Sequence, residues 1–275
     1  MTPAMRRNRR INRRAKNSPE KPAKSPQPDL IYGFHPVLAA LANPTRKKHR
    51  LLLTAEARKS LAKHSGAGAL AELEAGVSDC LTVTRHEIDA LLPPAAVHQG
   101  IVLECDPLPA RSLEEVCAPG AGSAPVLLLD QVNDPHNVGA ILRSAAAFGA
   151  RAVIIQERHS PAATSALAKA ASGALETVPL LRVTNLARAM RQLADMGYWL
   201  IGLDASAETR LGGESARHPV ALVLGAEGAG LRRLTCDNCD SLAAIKLADS
   251  MHSLNVSNAA AVAPWRSAPA AWAPR

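Results

Sequence analysis

Aromatic residues are scarce: two Phe, two Tyr and three Trp make up 3% of 275 residues. With 47% hydrophobic residues, the core must therefore be built from Ala, Leu, Val and Ile. The five cysteines (Cys80, Cys105, Cys117, Cys236, Cys239) are odd in number and scattered, which argues against a disulfide framework and for a reducing cytoplasm. No apolar run reaches membrane-spanning length, and no signal-peptide pattern opens the chain. Acidic residues are missing from the first 28 positions except Glu20, whereas nine Lys and Arg crowd there. That stretch alone carries +8, leaving 23 basic and 23 acidic residues in 29–275. Rich in Pro, Ser and Asn as well, it cannot bury a core and reads as disordered. It is either an arm that grips RNA phosphates or a solubilising tail.

What is present is apolar strands alternating with helices. A first α/β unit spans roughly 29–106, with a helical pattern at Val37, Leu38 and Leu41. Strands follow at "KHRLLLT", "CLTVT" and "GIVLEC", with a long helix at 55–75 and a short one at "RHEIDALL". A Pro/Gly/Ala-rich linker occupies 107–123, and a second unit covers 124–275. Its strands are "VLLLD" (126–130), "AVIIQ" (152–156), "LIGLD" (200–204), "ALVLG" (221–225) and "AAIKL" (243–247). Helices fit 137–149, 162–173 and 185–197. This alternation predicts a mostly parallel sheet covered on both faces, with ligands outside the carboxyl ends of its strands.

Three polar stretches fall at those ends. "GAEGAGLRR" reads G-x-x-G-x-G, which is neither a dinucleotide fingerprint nor a Walker loop. Its Glu227 would repel a phosphate and suits a cationic or hydrogen-bond-donating ligand. In "DPHNVGAILRS", Asn137 can cap a helix that carries Arg143, and an arginine among Ala, Ile and Leu must face something specific, such as a phosphate or carboxylate. "SLNVSNAAAVA" places Ser253, Asn255, Ser257 and Asn258 at a turn before a small-residue helix. Cys236 and Cys239 form a C-x-x-C without further ligands at zinc spacing, and His136 and His252 read as loop histidines.

In this order and spacing, "DQVNDPHNVGAILRSAAAFGA", "LVLGAEGAGLRRL" and "SLNVSNAAAVA" resemble the SpoU (TrmH-type) family of S-adenosylmethionine-dependent RNA 2′-O-ribose methyltransferases. "RRLTCDNCD", "ETVPLLRVTNLARAM" and "VHQGIVLE" further resemble the branch that methylates a guanosine in the P loop of 23S rRNA. The resemblance implies an α/β fold with a C-terminal SPOUT domain, its mostly parallel sheet tied in a deep trefoil knot, and a small N-terminal domain like ribosomal protein L30e. It implies a homodimer acting on RNA without a metal. S-adenosylmethionine would lie against the backbone at Gly225, Ile245 and Leu254, with Glu227 and Asn255 beside it. Arg143 would stabilise the ribose alkoxide, while Asn137, Ser253 and Asn255 place the arginine, the RNA phosphate and the ligand; Glu227 would orient Asn137 or Arg143. The same chemistry on tRNA or another rRNA site is an alternative, as is a noncatalytic RNA-binding scaffold. That last reading draws on Pro264, which falls within the expected final helix and predicts a break costing about 3 kcal/mol.

Overall fold

Apolar strands and alanine-rich helices assemble two separate sheets. The computed structural model describes residues 28–267 apart from 66, 95, 119–123, 159–164, 213–218, 249 and 252; the basic stretch before Pro28 and His252 lie outside the described residues. The first sheet contains β1 (Asp29–Tyr32), β2 (Lys48–Leu53), β3 (Asp79–Thr82) and β4 (Ile101–Cys105) in the order β1-β4-β2-β3. β2 and β3 run parallel, and the other pairings are antiparallel. Three strands were expected; the extra one is β1, four residues too short to show a period of its own beside the helix that follows. That helix, α1 (Phe34–Ala42), buries Val37, Ala40 and Leu41. The helix expected at 55–75 is present as α2 (Ala55–Ser65) and α3 (Ala67–Ala75), on either side of residue 66, which lies outside the described residues. α4 (Arg85–Asp89) starts on a capping box in which Thr84 and Glu87 bond each other's backbone N–H.

In the segment read as a linker, α5 (Leu113–Cys117) buries Leu113, Val116 and Cys117 in the core of the second sheet. That sheet has six parallel strands in the order β10-β8-β9-β5-β6-β7. They are β5 (Val126–Asp130), β6 (Ala152–Gln156), β7 (Leu180–Val183), β8 (Trp199–Leu203), β9 (Val220–Gly225) and β10 (Ser241–Ala243). Central strands covered on both faces are apolar throughout, as "VLLLD" and "VALVLG" are. β7 is a four-residue edge strand that the apolar pattern did not single out. β10 also differs from expectation: it spans 241–243, where Ser241 pairs with Ile201 and Ala243 with Leu203. Ile245, read as strand, leaves the sheet and packs on the core from a loop.

The helices are α6 (Pro135–Ala147), α7 (Ser165–Ala171), α8 (Leu186–Asp195), α9 (Arg233–Cys236) and α10 (Val256–Ser267), with a 3-10 turn at Ala174–Glu176 after α7. α10 packs on α6 and β9. The predicted break at Pro264 does not occur, since α10 contains Pro264 and continues to Ser267. Pro264 lies within the last turn, and it is buried beside Ala260 and Ala263, so packing offsets part of the cost of the missing backbone bond.

Candidate functional site

The carboxyl end of β5 closes on Asp130, a fully buried carboxylate. It accepts hydrogen bonds from the backbone N–H of Arg232 (3.1 Å), from Arg232 Nε (2.8 Å) and from the Thr235 hydroxyl (2.7 Å). Burial of a charge demands such partners, and these three tie the segment after β9 to the end of β5. Gln131 follows in the left-handed region at φ 63°, and its side-chain amide donates to Gln156 Oε1 at the end of β6 (2.7 Å). Arg232 donates to the same oxygen at 3.3 Å. The sequence reading missed this network; its only local signal is the polar residue that closes β5 and β6, Asp130 and Gln156.

From Gln131 the chain turns into α6. Asp134, not Asn137, caps the helix: its carboxylate accepts the His136 N–H at 3.0 Å, and Pro135 occupies the first turn. Proline's fixed φ and missing N–H suit that place, so the helix begins two residues before the expected cap. Asn137 is thereby freed for another partner.

β9 ends at Gly225, where the chain folds back on itself. Gly230 N–H donates to Ala226 O at 2.9 Å, and Gly228 and Gly230 have φ of +78° and +67°. A Cβ on Gly225 would lie 2.2 Å from the carbonyl carbon of Gly230, so only glycine permits this approach. The turn holds Glu227 out in solvent.

Asn255, just before α10, joins the pieces. Its Oδ1 accepts from the backbone N–H of Ser257 (2.8 Å) and from the Ser257 hydroxyl (2.5 Å), holding the start of the helix. Its Nδ2 donates to Asn137 Oδ1 and to Glu227 Oε2, each at 3.3 Å. Three residues separated by up to 118 positions thus meet where the first turns of α6 and α10 face the glycine turn. Glu227 reaches Asn137 through Asn255, and no bond links it to Arg143. Gly225 and Glu227 sit on one wall; Ile245 and Leu254, both half-buried, lie on the loop that leads to Asn255, with Ser253 exposed between.

Arg143 is not part of this cluster. Six residues beyond Asn137, it stands about 240° around α6 and about 9 Å along it. It is exposed and lines a groove of about 760 Å³ with Ser144 and Phe148 of its own helix region, Gly173 and Thr177 after α7, and Ala39 of α1. Among the described residues it has no ion-pair partner. The guanidinium is thus available to an incoming oxygen anion.

Exposed carboxylate, side-chain amide and folded-back backbone form an acceptor-rich surface. It suits a ligand that brings a cation, amines and an adenine edge, which fits S-adenosylmethionine better than a nucleotide phosphate. Beside it, burial pushes the Cys239 thiol up to about 12 and raises that of Cys236, so neither is poised as a thiolate.

Comparison with known proteins places these parts in context. Residues 124–265 match the family model described as the SpoU rRNA Methylase family, and residues 30–110 match one described as RNA 2'-O ribose methyltransferase substrate binding. The chain is 41% identical over 234 residues to the 23S rRNA (guanosine-2'-O-)-methyltransferase RlmB of Ralstonia nicotianae, covering 85% of this chain and 92% of that one. It is 39% identical over 240 residues to the RlmB of Pseudomonas syringae pv. tomato, covering 86% and 93%. Among solved structures, the SpoU methyltransferase AviRb of Streptomyces viridochromogenes, in complex with the cofactor AdoMet, aligns with a TM-score of 0.71. It is 23% identical, over 88% of this chain and 89% of that one.

Proposed function

Because the chain belongs to the SpoU rRNA methylase family, we propose that it is an S-adenosylmethionine-dependent RNA 2′-O-ribose methyltransferase acting on a guanosine of the 23S rRNA P loop. The observation that carries this reading is the junction of Asn137, Glu227 and Asn255, which brings the three sequence motifs to one place. S-adenosylmethionine supplies an electrophilic methyl group on a sulfonium cation. The chain's residues bind, align and polarise. Backbone at Gly225, Ile245 and Leu254 would hold the adenosine, with Glu227 and Asn255 beside the amine-bearing end. A ribose hydroxyl is a poor nucleophile, so its oxygen must be aligned with the methyl and its developing charge met by a donor. Arg143 fills that second role as stabiliser, since a guanidinium is too weak an acid to serve as a base. Asn137 and Asn255 would hold the first turn of α6, the helix that carries Arg143, against the start of α10, and Ser253 would meet the RNA phosphate.

The proposal includes the knotted threading of 124–275, an N-terminal unit at 29–106 like ribosomal protein L30e that helps hold RNA, and the linker at 107–123. It also includes a homodimer, in which Arg143 completes a site near the subunit boundary. A ribosomal substrate implies a cytoplasmic protein; among the described residues no helix is long and apolar enough to cross a membrane. The noncatalytic alternative lost its main support with the continuous α10. Methyl transfer from labelled S-adenosylmethionine to unmodified 23S rRNA, with the nucleotide mapped by mass spectrometry, tests the reading. A single 2′-O-methylguanosine in the P loop is expected. Transfer to tRNA alone would move the substrate, and transfer to neither would end the enzymatic reading.

A further inference from the structure

A second buried charge lies far from Asp130, at the seam between the two sheets. Arg46, after α1, and Glu176, in the 3-10 turn after α7, have side chains 4% and 5% exposed. Arg46 grips the carboxylate with Nη2 at 2.8 Å and Nε at 3.1 Å to both oxygens. Asn43 Nδ2 donates to Glu176 Oε2 at 2.7 Å. The remaining face of the guanidinium donates to Asp106 O at 2.7 Å and pairs with Asp29 at 3.4 Å. Both hydrogen-bond partners of the Glu176 carboxylate, Arg46 and Asn43, therefore come from the first unit, although Glu176 belongs to the second. Two further observations mark the same seam. A Cβ on Gly173 would lie 2.6 Å from Ala39 Cβ, so α1 sits directly on that turn. Lys169 of α7 stands 5.8 Å from the Tyr32 ring centroid.

A buried ion pair is a poor way to gain stability, because apolar residues of similar volume usually serve as well. What it supplies is geometry, since a planar fork on a carboxylate tolerates little rotation or slip. We propose that the Arg46–Glu176 fork is a register latch that fixes the substrate-binding unit relative to Arg143 and so determines which nucleotide reaches the arginine. The position supports this: the Arg143 groove is walled on one side by Ala39 of the first unit and on the other by Gly173 and Thr177, which flank Glu176. A rotation of the first unit would move bound RNA across that groove. Arg46 and Glu176 are positioning residues that touch neither RNA nor ligand. The inference rests on the proposed RNA methyl transfer.

The test compares wild type with Glu176→Gln and with the double variant Arg46→Met/Glu176→Leu, which removes both charges of the fork together, leaves only the 35% exposed Asp29 carboxylate to turn to water, and serves as the second variant if Glu176→Gln fails to fold. Each is assayed on a long 23S rRNA fragment, with the methylated nucleotide mapped and S-adenosylmethionine affinity measured by calorimetry. The latch predicts S-adenosylmethionine affinity within about twofold of wild type, KM for RNA raised at least fivefold, and methylation spread to neighbouring nucleotides. The double variant should show the same loss of selectivity, because an apolar pair adheres without fixing direction. Wild-type KM and a single modified nucleotide in either folded variant would overturn the latch. So would loss of ligand binding in both, which would make the pair general glue. If wild type itself transfers no methyl group to RNA, the functional reading fails, and hydrogen exchange then decides the latch: faster exchange of Glu176→Gln confined to 34–46 and 165–177 supports it, and unchanged exchange refutes it.

Discussion

Gly225 and Gly228 stand in one turn for different physical reasons, and their substitutions should differ accordingly. A methyl group on Gly225 meets backbone at 2.2 Å, whereas one on Gly228 meets nothing within 4 Å and is opposed only by φ +78°. Left-handed backbone costs a non-glycine residue about 1–2 kcal/mol. Gly228→Ala should therefore fold with S-adenosylmethionine affinity reduced by about tenfold or less, while Gly225→Ala displaces the turn and abolishes measurable binding in calorimetry. The reverse ranking would show that the turn is not the ligand wall. In its proposed role Arg143 is one electrostatic donor to the reacting oxygen, so with Arg143→Ala methyl transfer should fall about 100-fold or more while ligand affinity stays near wild type. Parallel loss of both would remove Arg143 from its assigned role. The thiols give a third residue-level check. Burial holds Cys105 at about 11 and Cys239 at about 12, so both should resist iodoacetamide at pH 8 in the folded protein, and rapid labelling of either would contradict that packing.

Among the elements, α10 offers the clearest prediction. An interior proline costs a helix about 3 kcal/mol when nothing offsets it, so Pro264→Ala should raise stability by about 1–3 kcal/mol in urea unfolding. A lowered midpoint would mean that burial of the ring contributes more than the missing hydrogen bond costs. The same helix shows where sequence reasoning stops. Proline propensity is local, whereas the surface against α6 and β9 that stabilises α10 is not. Long central strands were legible because both faces are buried and every residue is apolar. The edge strands β1 and β7 were not, being four residues each, and β10 was misaligned because Ile245 is apolar for the core yet leaves the ladder. In the site, residue types, their order and the gathering of the three motifs were legible, but the bridge that Asn255 makes between Asn137 and Glu227 was not. The Asp134 cap was overlooked because Asn137 is an equally good capping residue. Asp130 escaped notice because its partners, Arg232 and Thr235, lie 102 and 105 residues away.

For the whole molecule, charge and topology have separate consequences. Residues 1–28 carry the entire formal excess of +8, so their removal should weaken RNA binding and flatten its dependence on salt concentration. A salt slope unchanged by the truncation would make the stretch a solubilising tail. Topology acts earlier, during synthesis. The first sheet is complete once Cys105 has emerged, since all four of its strands precede that residue. The second sheet cannot close so soon, because β9, which begins at Val220, lies between β5 and β8. Until β9 emerges from the ribosome, β5 has one unpaired edge of fully buried-type residues, and β8 has no neighbour at all. Open apolar edges of this kind invite pairing with other chains. The nascent protein therefore passes through a stage in which its RNA-holding half is finished while its catalytic half still depends on a late central strand.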